Sequence, residues 1–386
     1  MKKLLSTLQS LVHYPFIIRR LKKSKTNIFF FFPYYHTGGG EQVHIRIIET
    51  VREHSPLCFI TNQSENSDLK EDFSKVSTLI ELKRWSSKAS FRVLMYKKIS
   101  AIINARDNAV VFGCNSEFYL GLLPYLQEQV RKIDLMHAFL GDNQYSFENY
   151  SLPVVNTLDN RVVLGPIHRE KLLDFYKKKH IYNLNDKILT IPNSIPVSRQ
   201  VTKKDFSNNR FEILFVGRNS EEKRPHLFIK IAEEAIQKAL PFSFTMIGDF
   251  ETLKRSVNPK IHIVGKINDK RELDSYYEKA HFIMITSHFE GFPMVLLEGM
   301  SKGVIPICTD VGEIPGYINE EKGTGYIINN NSNEEKIIQR FLEILSFVMI
   351  SPQTNQIFSL NVQKLVENEF NELVFKKKYR KLLLLN

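Results

Sequence analysis

The chain has 386 residues, too many for one ordinary hydrophobic core, so two domains are expected. With 43% hydrophobic and 25% charged residues it reads as globular, and no apolar stretch is long enough to span a bilayer. A net charge of +11 points to an anionic partner, but no nucleic-acid module and no interleaving of basic and aromatic residues is present, so nucleic acid is excluded.

Lys2, Lys3, Arg19, Arg20, Lys22, Lys23 and Lys25 all precede the first acidic residue, Glu41. Leu4, Leu5, Leu8, Leu11 and Val12 recur at helical spacing, and Pro15 limits that helix. Residues 1–26 therefore read as a basic amphipathic segment. It lacks the small-residue cleavage pattern of a signal peptide. Two readings stay open: a helix lying on an anionic membrane surface, or one packed on the first domain. Cys58, Cys114 and Cys308 lie in apolar runs with no metal spacing between them, as buried reduced thiols of a cytoplasmic protein would. The basic ends add the expectation of a peripheral position on the inner membrane face.

"NIFFFFPYYHTGGGEQVHIRIIETV" opens the folded part with a fully apolar strand, a turn of three glycines and a helical pattern. "LCFIT", "AVVFG", "KIDLMHAF" and "RVVLG" continue the strand–helix alternation of a parallel sheet. "KILTIPNSIP" closes this half, taken as residues 27–196. The polar segment 197–210 reads as a linker. The pattern restarts with "FEILFVG", followed by "FSFTMIG", "IHIVG", "HFIMIT" and "GVIPICT" as strands of a second domain, 211–365. Two helical stretches are expected after about residue 333, the last, within 366–386, packing back on the first domain. The fold class is α/β, with two doubly wound domains, and ligands are expected at the carboxyl ends of the strands.

The candidate chemistry lies after strands. In "HFEGFPMVLLE", Glu290 sits in a loop and Glu298 in the second turn of a helix near whose start stands Pro293. Free amides at such a start suit a phosphate, Gly291 lets backbone approach, and the carboxylates suit sugar and ribose hydroxyls. In "FVGRNSEEKRP", Arg218 and Lys223 could neutralise a diphosphate, although solvated cations are the plainer reading. The amides of Gly38, Gly39 and Gly40 could also meet phosphate, yet the turn matches neither the P-loop nor the dinucleotide fingerprint. His137, at a strand end, either bonds a sugar hydroxyl or is a packed or satisfied histidine, at first sight the plainer reading. There is no D-x-D pair, and metal ligands are expected to be none.

Together these stretches resemble the retaining glycosyltransferases of family 4, the group 1 family, which have the GT-B fold of two Rossmann-like domains facing across a cleft. The resemblance rests on "SHFEGFPMVLLEGMSKGVIPI" with its E-x7-E spacing, on "FVGRNSEEKRP", "TDVGEIPGYI" and "GTGYII", and on "HTGGGEQVH" and "IPNSIP" in the first half. It implies transfer of a sugar from a nucleotide diphosphate donor to a glycan or lipid-linked acceptor in surface polysaccharide synthesis. No cofactor or metal is implied. The first domain would be the acceptor side and the second the donor side.

By the same resemblance Glu290, His137, Arg218 and Lys223 are catalytic. Glu298 holds the ribose, Gly38, Gly39 and Gly40 approach the donor phosphates, and the amides of Phe292, Pro293, Met294 and Val295 lie near sugar and phosphate. The chain departs from the pattern at Gly316, where the family often has Glu, at Glu313, where it has Gly, and at Ser194, where it has Gly. A nucleotide-sugar epimerase of the same fold and a catalytically silent partner or glycan-binding subunit are the alternatives.

Overall fold

A computed structural model of the chain describes residues 15, 17–36, 38–83, 89–141, 143–196, 201–207 and 210–384. The expected helix over Leu4–Val12 lies outside the described residues. Contacts divide the chain into two compact units, one of residues 1–164, 168–191 and 375–386, the other of 165–167 and 192–374.

The first unit carries strands β1 (Ile28–Phe32), β2 (Leu57–Ile60), β3 (Thr78–Glu81), β4 (Val110–Cys114), β5 (Arg131–Met136), β6 (Asn160–Val163) and β7 (Ile188–Thr190). Their order is β3-β2-β1-β4-β5-β6-β7, all parallel. β1 is buried over its whole length because helices cover both faces of such a sheet, which is why it reads as an unbroken apolar run. β3 and β7 had no apolar period to betray them. They hold four and three residues, and neighbouring strands define them.

The second unit carries β8 (Phe211–Val216), β9 (Phe242–Ile247), β10 (Ile261–Gly265), β11 (Phe282–Ile285), β12 (Ile305–Thr309) and β13 (Tyr326–Ile328), in the parallel order β10-β9-β8-β11-β12-β13. Its core gathers Phe211, Ile213, Phe215, Phe228, Phe244 and Phe282 among others. Within the segment expected as a linker, Phe206 joins this core. Lys204 is also buried, its Nζ donating to the carbonyls of Tyr277 and Glu278 at 2.7 and 2.6 Å.

The C-terminal part has three helices rather than two: Glu334–Met349, Pro352–Glu369 and Glu372–Leu383. Pro352 starts the second because proline suits a first helical turn but not a helix interior. The second ends at Phe370, whose carbonyl accepts from Ile195 N at 3.1 Å. In the last helix Tyr379 is fully buried and meets Phe112 edge-on at 6.1 Å. Among the described residues no helix is long and apolar enough to cross a membrane.

In each sheet the strand order reverses once, between β1 and β4 and between β8 and β11. Loops that leave the carboxyl ends of two such strands diverge, and the crevice between them is where open α/β sheets bind ligands. Of the residues singled out from the sequence, Gly38, Gly39 and Gly40 follow β1, Arg218 and Lys223 follow β8, Glu290 and Glu298 follow β11, and His137 follows β5, the neighbour of β4.

Candidate functional site

In the second unit the loop after β8 runs through Gly217 to Arg224 and ends at helix Pro225–Gln237. The loop after β11 runs from Thr286 to Pro293 and ends at helix Met294–Ser301. Lys223 and Glu290, one from each loop, meet: Nζ lies 2.5 Å from Oε1. The side chains are only 22% and 9% exposed, so the pair is shielded from bulk water. Ser287 Oγ donates to the same carboxylate oxygen at 2.7 Å.

Residues that the sequence did not single out hold the two loops together. Arg224 Nε donates to Thr286 O at 2.7 Å and its Nη2 to Ser287 O at 3.1 Å; Nη2 also meets Asn330. Thr286 Oγ1 returns bonds to the carbonyls of Lys223 and Arg224 at 2.9 and 3.0 Å, and His288 N donates to Glu222 O at 2.7 Å. Arg224 does this from the left-handed region, at φ 47°, a conformation costly for a residue with a side chain. Only the dipeptide Arg224-Pro225 hinted at it, since Pro225 disfavours the right-handed helical region at the residue before it.

The loop after β12 closes on the same place. Gly312 has φ +57°, and a Cβ there would stand 2.1 Å from Gly291 O and 2.4 Å from Glu290 O. Glu313 N donates to Gly291 O at 2.9 Å. The backbone beneath Glu290 is thus gripped by a position that only glycine fills without displacement.

Helix Met294–Ser301 starts one residue later than Pro293, which is its N-cap. Proline has no amide hydrogen, so the expected amide of Pro293 cannot donate. Met294 and Val295 begin the helix, where backbone N–H groups lack intrahelical acceptors, and they add to the positive end of its dipole. Phe292 is buried and stacks on Phe370 with centroids 5.0 Å apart, while its carbonyl accepts from Asn193 Nδ2 at 3.2 Å. Asn193 belongs to "IPNSIP", so that segment braces the helix entry. Glu298 is half-buried, and its Oε2 accepts from the hydroxyl of the fully buried Tyr277 at 3.1 Å. Arg218 stands apart from this cluster. Its side chain is 69% exposed and pairs with Glu222 at 3.2 Å, leaving it free to turn toward a ligand.

The two departures at 313 and 316 are one feature. Glu313 is fully buried, and its Oε2 accepts from Ile167 N at 3.3 Å. A Cβ at Gly165 would overlap that carboxylate at 2.1 Å, and a Cβ at Gly316 would stand 3.7 Å from Oε2. The carboxyl group of Glu313 therefore lies beside residue 316, in space that two glycines leave open.

In the first unit, Gly39 and Gly40 are not a free turn. They form the first turn of helix Gly39–Glu49, with Gly38 as N-cap in extended conformation. The carboxylate of Glu41 curls back to within 2.2 Å of where a Cβ on Gly38 would sit, and it pairs with His36 at 3.5 Å. His137 follows β5, and a Cβ on Gly40 would stand 3.5 Å from its Nε2. His137 has a side-chain partner, as a satisfied histidine does: its Nε2 lies 3.0 Å from His44 Nε2, and the His44 ring stacks on Phe32 at 4.0 Å. Burial pushes the His137 pKa down to about 4 and that of His44 well below its ordinary value, so both rings are neutral. A neutral pair in contact shares one proton between the two Nε2 atoms.

Residues 198–347 match the family described as "Glycosyl transferases group 1". The O-antigen biosynthesis glycosyltransferase WbnH of Escherichia coli is 30% identical over 166 residues, 41% of this chain and 45% of the relative. The capsular polysaccharide biosynthesis glycosyltransferase CapM of Staphylococcus aureus is 25% identical over 177 residues, 43% of this chain and 44% of the relative. The chain thus spans less than half the length of these curated relatives. Among solved structures, Anabaena Alr3699/HepE in complex with UDP matches with a TM-score of 0.72 and 14% identity, over 93% of this chain and 100% of that one. The lipopolysaccharide outer core galactosyltransferase WaaB matches with a TM-score of 0.70 and 17% identity, over 92% and 99%. At such identities the likeness is one of fold, the two Rossmann-like parallel-sheet units of the GT-B type. The segment 198–347 of this chain, which matches the group 1 glycosyl transferase family, holds Lys223, Glu290 and the helix that follows.

Proposed function

We propose that this chain is a retaining glycosyltransferase of surface polysaccharide synthesis, moving a hexosyl group from a nucleotide diphosphate sugar to a glycan or lipid-linked acceptor. The observation that carries this reading is the shielded Lys223–Glu290 pair, placed at the strand-order reversal beside the start of helix Met294–Ser301. The relatives named as O-antigen and capsule glycosyltransferases support the polysaccharide part, and the UDP complex of the Anabaena protein supports a nucleotide donor.

On this reading Lys223 and Arg218 neutralise the diphosphate as it leaves, with the helix start adding its dipole. Charge that develops in the transition state then meets donors already in place. Glu290 orients the transferred sugar through its hydroxyls, and the lysine and Ser287 beside it hold the carboxylate in place. Glu298 accepts from the ribose hydroxyls, and Tyr277 fixes its direction. His137 bonds a sugar hydroxyl, and the amides at Gly38, Gly39 and Gly40 face phosphate. No resident metal is assigned a step, so turnover should withstand EDTA.

Incubation of the full chain with UDP- and GDP-sugars, with release of the nucleoside diphosphate as readout, tests the reading. Glu290→Gln and Arg218→Ala should each lower turnover roughly a hundredfold or more while the fold survives. Turnover equal to that of the unaltered chain would refute the assignment. An anionic membrane surface is a further proposed partner, on the basic residues up to Lys25. Co-sedimentation with anionic liposomes should be stronger for the full chain than for one starting at Thr26. Equal binding removes the role of that segment.

A further inference from the structure

We propose that His44, Cys114 and His137 form a binding site for a thiophilic divalent cation of the Zn²⁺ type. One ligand atom from each of the three lies within 4.8 Å of those of the other two. The sequence separations hide this, because the ligands come from a helix and from the ends of two strands. Topology brings them together. β1, β4 and β5 are neighbours and run parallel, so everything after their carboxyl ends emerges at one edge. Cys114 is the last residue of β4, His137 follows β5, and His44 lies in the helix that follows β1. The cluster sits at the reversal of strand order, between β1 and β4.

The donor set suits the cation. Two imidazoles and one thiolate favour zinc over magnesium or calcium, and three protein ligands leave a fourth position open. Nitrogens each about 2.0–2.1 Å from a tetrahedral zinc lie roughly 3.3 Å apart. The Nε2 atoms of His44 and His137 are already 3.0 Å apart, at the place where such a cation would replace their shared proton. The His44 ring is fixed by its stack on Phe32. Binding releases the Cys114 thiol proton to solvent and moves the proton between the two Nε2 atoms to the Nδ1 of its own ring, so both imidazoles stay neutral and two Nε2 atoms and the thiolate sulfur each donate an electron pair to the cation. Cys58 and Cys308 have no such company among the described residues.

The consequence rests on the function proposed above. His137 cannot bond a sugar hydroxyl through the nitrogen that holds a cation. Occupancy would therefore inhibit transfer, and a chelator would reverse the inhibition. The site differs from a catalytic metal in that the reaction proceeds without it.

Co²⁺ titration of the purified full chain tests the site without any measurement of turnover. The expected result is one equivalent bound, a thiolate-to-cobalt charge-transfer band in the near ultraviolet, and displacement by Zn²⁺. Cys114→Ser should lose the band and weaken Co²⁺ binding at least about tenfold. The chain altered at both other cysteines, Cys58→Ser with Cys308→Ser, should keep the band. A full chain with no thiolate band overturns the proposal whether or not the variants fold. So does a band that persists in Cys114→Ser or vanishes when only Cys114 remains. These outcomes are independent of the transferase reading, which stands or falls on nucleoside diphosphate release.

Discussion

Lys223 Nζ lies 2.5 Å from Glu290 Oε1, across 67 residues of sequence, in a pair shared with the hydroxyl of Ser287. A shielded pair of this kind does two things at once. Each charge makes the other tolerable in a place poor in water, and together they present a cation and a carboxylate to a ligand that carries both phosphate and hydroxyls.

Breaking the pair should separate stability from activity. Lys223→Met leaves Glu290 without its cation and should lower unfolding free energy by about 1–3 kcal/mol, less than for a fully buried pair because Lys223 retains some exposure. Lys223→Met combined with Glu290→Leu removes both charges and should recover most of that loss, while turnover stays abolished. Urea denaturation and nucleoside diphosphate release measure the two quantities. Recovery of turnover in the double variant would show that the pair is only structural.

Gly312→Ala should damage the same loop from beneath. The left-handed φ and the overlap with the carbonyls of Glu290 and Gly291 must both be relieved by backbone movement. The expected cost is about 2–4 kcal/mol, with turnover falling as Glu290 shifts. A melting temperature within a degree or so of the unaltered chain would be inconsistent with this close approach.

Arg224→Lys keeps the charge and loses the fork that reaches Thr286, Ser287 and Asn330 at once. Stability should drop by about 1–3 kcal/mol, and turnover should fall more than donor affinity because Lys223 loses its anchor. Arg224→Gly relaxes the backbone yet drops the same bonds, so it should not rescue turnover. Full turnover in the glycine variant would mean that the left-handed turn alone positions Lys223.

Lys204 supplies a pH dependence. Burial, with help from the nearby cation of Lys302 and against the attraction of Glu278, pulls its pKa from 10.5 down to about 7. As a neutral amine it still offers two N–H groups, matching the two carbonyls it meets. The folded value lies below the unfolded one, so between these values the unfolded chain binds the proton that the folded chain lacks. The ammonium therefore weakens the fold in full below about pH 7, and that penalty is relieved as pH rises toward 10.5. Thermal scans from pH 7 to 9.5 should show a melting temperature that rises more, or falls less, for the unaltered chain than for Lys204→Met. Parallel curves would place a charged, solvated Lys204 in the fold.

The alternation of apolar runs with helical patterns was enough to determine two parallel α/β halves, because side-chain period and burial are local properties of the chain. Ile28–Phe32 could be little else than a strand covered on both faces, and the carboxylate spacing around Pro293 marked a loop, a helix start and a second turn. The short β3, β7 and β13 escaped that reading, since three or four residues carry no period and depend on their neighbours for identity. What the tertiary structure alone decided were encounters between distant residues. It joined Lys223 to Glu290, locked the loops through Arg224, set Glu313 beside residue 316, and drew His44 and Cys114 to His137. Hydrogen bonds and ion pairs act over a few ångströms, and only the order and direction of strands sets which loop ends come within that reach.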